Sequence, residues 1–142
     1  YKCSSLTDIS GIFNWNVTKL VNTVQMFALC TSITSINLSK WSFVPTNIDG
    51  MFNSCWNAVI NVTSFNVSSV KNFDWLFLNC YALTDFDLRG WNTANATTMQ
   101  RMFESCRNLT RVRVTSGKWT IPSGCNTTDM WKDASISSVT YA

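Results

Sequence analysis

The 142-residue chain contains no histidine. That removes the side chain most often used as a general base or metal ligand near neutral pH. Its five glycines form neither a phosphate-cradling loop nor a nucleophile elbow. No two cysteines stand closer than the 19 residues between Cys106 and Cys125, whereas zinc sites are built on much tighter pairs. The eight acidic residues are scattered, apart from Asp85 and Asp87. Together these absences predict a protein that is not an enzyme and uses no cofactor and no metal. Charge is also scarce: 13% of residues are ionic and the net charge is +3, so the 15 Asn and 34 Ser plus Thr must keep the chain in water. Such a composition predicts an extracellular or cell-surface location. No apolar run approaches the roughly 18 residues that span a bilayer, which predicts no membrane span in this segment.

What the chain does contain is self-similarity. MFESCRNLTRVRV, residues 102–114, is a near twin of MFALCTSITSINL, residues 26–38. Cys3, Cys30, Cys55, Cys80 and Cys106 advance by 27, 25, 25 and 26 residues. That period suits a solenoid whose coils stack on one another. Phe27, Phe52, Phe77 and Phe103 each stand three residues before a cysteine of this ladder, and Met26, Met51, Leu76 and Met102 precede them. After the cysteine come apolar triplets: Ile33, Ile36 and Leu38, then Leu83, Phe86 and Leu88, then Leu109, Val112 and Val114. The copy at Cys55 is one residue short and supplies Ala58, Ile60 and Val62. Trp41, Phe65 and Trp91 close the pattern.

Each column has a physical reading. The apolar-x-apolar pair has the period of two of a strand with one buried face. Copies about 25 residues apart would therefore lie side by side as a parallel sheet. Upstream, Val70, Phe73, Leu76 and Phe77 fall at the spacing of a short helix or tight helical turn that covers the sheet. One coil cannot bury its own apolar stripe, so coils must stack, and repeated burial explains repeated sequence. Phe27, Phe52, Phe77, Phe103, Cys30, Cys55 and Cys80 are the expected structural residues. The pattern begins half-way through a coil at Cys3, Leu6 and Ile9. A degraded copy, with Met130, Trp131, Ala134, Val139 and Tyr141 in the repeat's places, ends it. The expectation is a single solenoid domain over residues 1–142, of about five to six coils, cut from a longer array.

The motif MF-x-x-C-x-x-L-x-x-L-x-L-x-x-W resembles the BspA-type leucine-rich repeats of bacterial and protist surface proteins. Residues 3–114 carry the likeness well and 125–142 weakly. Thr23 in an apolar column, Pro45 in the third coil and insertions before Trp15 and Trp119 depart from it. The expected fold is α/β: a leucine-rich-repeat-like right-handed solenoid, one short parallel strand per coil with short helical turns on the opposite side. The resemblance implies a surface-displayed module for adhesion to or recognition of a protein or glycan, and no catalytic signature.

Outward strand positions form three rows: Ser35, Val59, Asp85 and Arg111; Asn37, Asn61, Asp87 and Arg113; Ser39, Thr63, Arg89 and Thr115. Asp85, Asp87, Arg89, Arg111 and Arg113 read either as cross-strand ion pairs, each worth about 0–1 kcal/mol when exposed, or as a recognition patch. Arginine can hold carboxylate or sulfate oxygens in pairs. With arginines adjacent, Asp85 and Asp87 are poor calcium ligands. The six Lys or Arg of residues 89–118 are spread around the coil, which predicts a solvated surface and no nucleic acid. Trp75 is a further binding candidate, and Trp56, Tyr81 and Arg107 also lie outside the core columns. Asn16, Asn37, Asn61, Asn66, Asn95, Asn108 and Asn126 head Asn-x-Ser/Thr sequons and are glycosylation candidates. The ladder cysteines read as buried thiols, and Cys106 with Cys125 is the candidate disulfide. Expected partners are a host or neighbouring-cell protein or glycan, or further copies of the chain itself. The latter would make it a structural subunit of an extracellular filament or surface layer.

Overall fold

The computed structural model describes residues 3–142. Five short strands recur once per repeat: β1 (Ser35–Asn37), β2 (Val59–Asn61), β3 (Asp85–Asp87), β4 (Arg111–Val114) and β5 (Thr140–Tyr141). All pairings are parallel. In β1 and β2, Ile36 faces Ile60; in β3 and β4, Phe86 faces Val112; Val114 of β4 faces Tyr141 of β5. The central residue of each of the first four strands is buried and its predecessor exposed, as the two-residue period predicts. The sheet is divided, however: β1–β2 and β3–β4–β5 are separate, with no backbone hydrogen bond between β2 and β3. The break falls after the shortened copy, where Ile60 stands five residues past its cysteine and Phe86 six.

Across from the strands the expected helical turns take another form. Among the described residues there is no α-helix, only a 3-10 helix at Ser10–Asn14. The segments carrying Met26–Phe27 and its copies are successive i to i+3 turns, such as Ala28 N–H to Gln25 C=O and Leu78 N–H to Trp75 C=O. Left-handed residues recur in two columns: Gln25, Gly50, Trp75, Arg101 and Asp129 at φ of 52–56°, and Leu29, Ser54, Asn79, Ser105 and Asp133 at 56–61°. They break the helix every fourth residue and turn alternate N–H groups to the next repeat. Gln25, Phe27 and Leu29 donate to Asp49, Met51 and Asn53; Gly50, Phe52 and Ser54 to Asp74, Leu76 and Leu78. Trp75, Phe77 and Asn79 then donate to Gln100, Met102 and Glu104, and Arg101, Phe103 and Ser105 to Thr128, Met130 and Lys132. A non-glycine residue in this conformation costs about 1–2 kcal/mol, which the inter-repeat bonds offset.

Between the strands and the turns lies one hydrophobic core. Phe27, Phe52, Phe77 and Phe103 form one aligned stack, with successive ring centroids 5.8, 5.6 and 5.5 Å apart and planes within 16°. Burial of each contributes roughly 1.5–3 kcal/mol. Trp41 and Trp91 are fully buried, and their indole N–H groups donate to Ile12 and Val62 carbonyls, so neither polar atom is left unmet.

Candidate functional site

The charged outward residues lie on β3, on β4 and just past β3 at Arg89, and they are organised differently from the simplest pairing. Register sets Asp85 beside Arg111 and Asp87 beside Arg113. Asp85 nevertheless receives both arginines: Arg113 Nε lies 2.8 Å from Oδ1, unaligned for a hydrogen bond, and Arg111 Nη1 lies 3.5 Å from Oδ2. Asp87 is taken by Arg89 of its own coil, whose Nε and Nη2 donate at 3.0 and 2.8 Å while its backbone N–H donates at 3.1 Å. Hydrogen bonds from the Arg89 side chain hold the Asp87 carboxyl below its usual range. The Asp87–Arg89 pair is thus saturated, whereas Arg111, 55% exposed, is held only by a long contact. Asp85, Asp87, Arg89, Arg111 and Arg113 come together; Trp75 does not join them. It lies in the first left-handed turn column, half-buried, donating its N–H to Gln100.

Two further groupings stand beside this face or behind it. Trp56 stacks on Tyr81 with centroids 6.3 Å apart, and the Arg107 guanidinium lies 5.6 Å above the Tyr81 ring, so the residues after successive ladder cysteines form an outward column. In the turns, Arg101 sits 3.4 Å from Asp129 and 3.5 Å from Glu104, with Lys132 at 3.9–4.0 Å from both acids.

The asparagines explain themselves structurally. Asn16, Asn61, Asn66 and Asn126 each accept, through Oδ1, both the backbone N–H and the hydroxyl of the Ser or Thr two residues on. Asn37 accepts the Ser39 N–H alone. These are Asx turns, in which a side chain replaces a backbone acceptor. Asn22, Asn47, Asn72 and Asn92 do the same without a sequon hydroxyl. Asn95 and Asn108 instead use Nδ2, bonding Ser68 and Tyr81 carbonyls of the preceding repeat. The turn-closing role of asparagine was missed in the sequence; its signal was the recurrence of Asn22, Asn47 and Asn72 at a 25-residue period.

The cysteines correct one expectation. Cys106 and Cys125 are both free, so the expected bridge is not formed. Cys106 is instead a member of the packed row. Cys55, Cys80 and Cys106 donate Sγ–H to the carbonyls of Phe27, Phe52 and Phe77 at 3.0–3.2 Å. Burial pushes the Cys55 and Cys106 thiols up to about 12 and raises the Cys80 thiol well above its ordinary range. No cluster of three or more His, Cys, Asp or Glu able to hold a metal occurs among the described residues. No helix among them is long and apolar enough to cross a membrane.

The sequence that builds these stacked repeats is matched twice by one family model. The model described as "Mycoplasma protein of unknown function, DUF285" matches residues 2–44 and again 44–140. The chain belongs to the DUF285 family. The two matches abut, in keeping with an internally repeated sequence. No curated protein and no solved structure matches the chain. In this DUF285 chain the turn columns, the Phe stack and the thiol row recur from repeat to repeat, whereas the outward strand positions change.

Proposed function

We propose that the chain is a BspA-type, leucine-rich-repeat-like right-handed solenoid and serves, without catalysis, as an extracellular or cell-surface module for recognition or adhesion. Its ligand is an acidic glycan or an acidic protein segment, taken on the strand face around Arg111. One observation carries this reading: Asp87 is fully engaged by Arg89, Asp85 is shared between Arg113 and Arg111, and Arg111 is left exposed on a 3.5 Å contact. An arginine so loosely paired can exchange Asp85 for a ligand carboxylate or sulfate, which it can grip through two N–H groups. Small or polar neighbours at Ser35, Asn37 and Asn61 leave the rest of the face open to an extended molecule.

The test is binding of immobilised sulfated and uronic-acid oligosaccharides and of a poly-glutamate peptide. Arg111→Ala should weaken retention about tenfold or more, the equivalent of one charge-assisted pair, while Arg89→Ala should change it little. Absence of retention on every acidic probe, or retention unaltered in Arg111→Ala with Arg113→Ala, would overturn the reading.

A further inference from the structure

Three positions at the ends of successive strands close the same turn. Asn37 Oδ1 accepts the Ser39 N–H, Asn61 Oδ1 accepts the N–H and the hydroxyl of Thr63, and Asp87 Oδ1 accepts the Arg89 N–H. Only the oxygen of an amide can meet an N–H, so these turns also fix which way each asparagine faces. The Nδ2 groups of Asn37 and Asn61 are left pointing away from the turn, and neither makes a hydrogen bond among the described residues.

Asparagines elsewhere are placed differently. Asn57, Asn95 and Asn108 spend Nδ2 on the carbonyls of Thr31, Ser68 and Tyr81. Asn22, Asn47 and Asn72 close the same turn, but their row continues through Thr98 and Asn126 and holds no arginine. The strand-face row instead runs Asn37, Asn61, Asp87, Arg113, with register pairing the first two and the last two.

The face is thus rich in donors and poor in acceptors on both its halves. Over β3 and β4, Asp87 is saturated by Arg89, Asp85 is shared by two arginines, and Arg111 offers its guanidinium. Over β1 and β2 the outward strand residues carry no charge, and the amides of Asn37 and Asn61 are the donors. The Thr63 and Thr115 hydroxyls donate inward, to Asn61 Oδ1 and the Arg89 carbonyl. Between the halves stands Val59, 64% exposed.

These features separate the two classes of acidic ligand. Neighbouring strands lie roughly 4.8 Å apart, whereas an extended peptide turns side chains to one side only every second residue, about 6.6 to 6.8 Å. An acidic peptide reaching from Arg111 to Asn37 would also lay carboxylates over β1 and β2, where no outward strand residue is charged. A linear polysaccharide carries oxygen acceptors on every ring and charge on some, and its rings have an apolar C–H face that can rest on Val59.

From this arrangement we infer that the ligand of the strand face is a linear polysaccharide bearing carboxylate or sulfate groups, laid across the strands with its anionic group on Arg111 and neutral sugar oxygens on Asn37 and Asn61 Nδ2. The inference rests on the reading of this face as a recognition surface and makes the two asparagines its specificity-determining residues. The distance from β4 to β1 is at least about 14 Å, three strand spacings, so a chain of several rings is needed to use both halves.

The experiment is titration calorimetry on the full 142-residue chain, produced in a bacterial host without N-glycosylation so that Nδ2 is free. The probes are di- and tetrasaccharides of galacturonic acid and of chondroitin sulfate, with di- and tetraglutamate as the peptide arm. In at least one sugar series the tetrasaccharide should bind about tenfold or more tighter than the disaccharide, while tetraglutamate gains little over diglutamate. Asn37→Ser with Asn61→Ser keeps the turns through the serine hydroxyls but removes the amide donors. It should weaken the tetrasaccharide about tenfold and leave the disaccharide unchanged. Tetraglutamate bound as tightly as both tetrasaccharides, or a folded double variant that binds the tetrasaccharide like wild type, overturns the inference. If Arg111→Ala still weakens binding in those cases, the recognition face stands without it. No binding of any probe, or binding unaltered in Arg111→Ala with Arg113→Ala, removes both. Circular dichroism checks folding, and should the double variant not fold, the wild-type comparison of tetrasaccharide with tetraglutamate decides.

Discussion

The thiol of Cys80 donates its hydrogen to the backbone carbonyl of Phe52, one repeat earlier, at 3.2 Å. The same bond joins Cys55 to Phe27 and Cys106 to Phe77. The two most regular columns of the sequence are thereby one device: the ring fills the core, and its carbonyl, which the turn leaves inside, is met by the next cysteine. Each of these carbonyls already accepts the backbone N–H of the cysteine in its own repeat, so the thiol of the following repeat is a second donor to the same oxygen, and a thiol is among the few donors small and apolar enough to sit in the row.

Phe77 is the centre of the stack, parallel to Phe52 and Phe103 and edge-on to Phe86. Phe77→Ala should cost about 3–5 kcal/mol in denaturant unfolding, through lost burial and the cavity left behind. An effect below roughly 1 kcal/mol would contradict the packing described.

The thiols should sort by position. Iodoacetamide on the native protein without reductant should modify Cys3 fully, Cys125 slowly and Cys30, Cys55, Cys80 and Cys106 scarcely, since burial keeps the last four protonated. After unfolding, still without reductant, all six should react. Two thiols that resist alkylation in the unfolded chain would restore a disulfide.

Asp49 differs from its neighbour Asp74 in its partners. Asp74 accepts the Gln100 N–H at 2.7 Å and the Thr98 hydroxyl. The equivalent donors for Asp49 are missing, because Asn72 stands in place of Thr98 and its Oδ1 takes the Asp74 N–H, leaving Asp49 Oδ1 buried and unbonded. Burial, then the Asp74 charge, raises the Asp49 carboxyl above its usual range. The native state therefore keeps this proton to higher pH than the unfolded chain, and stability contributed by Asp49 falls as pH rises through the carboxylate range. Asp49→Asn should melt later than wild type at pH 7, with the gain shrinking toward about pH 4. A gain independent of pH would rule out ionisation as the cause.

Gly50 and Gly11 offer a paired substitution. Gly50 is left-handed at φ of 55°, and a Cβ there would meet Gln25 Cγ at 3.2 Å; nothing lies within 4 Å of one at Gly11. Gly50→Ala should lose about 1–2 kcal/mol, while Gly11→Ala should stay within roughly 0.5 kcal/mol. Thermal unfolding of the two side by side decides it.

How much of this was readable in the residues depends on what repeats. The Phe stack, the Cys row and the strand register were legible because burial in one repeat requires the same burial in the next, so Phe86 and Val112 face each other as their spacing implies. The turn columns were not, since of the ten left-handed residues in those two columns only Gly50 is a glycine, and Trp75 and Leu29 carry no mark of their backbone. Their apolar neighbours have helical spacing, yet the N–H groups bond across repeats instead. The sequons at Asn61 and Asn66 carried a local bond that composition cannot display. For the charged face, register alone brought the right residues together, but Arg89 reached Asp87 through a contact within its own coil, which left Arg111 the loose member.

The missing pairing between β2 and β3 has a mechanical meaning. On the turn side Gly50, Phe52 and Ser54 bond straight across that line, so the molecule resembles two planks laid on one unbroken spine. Val59 and Asp85 share no main-chain bond, yet the Ala82 N–H reaches the Trp56 carbonyl at 3.1 Å and the Trp91 indole reaches the Val62 carbonyl, so the seam between the two sheets is pinned just before and just after the strands and left unstitched only along them.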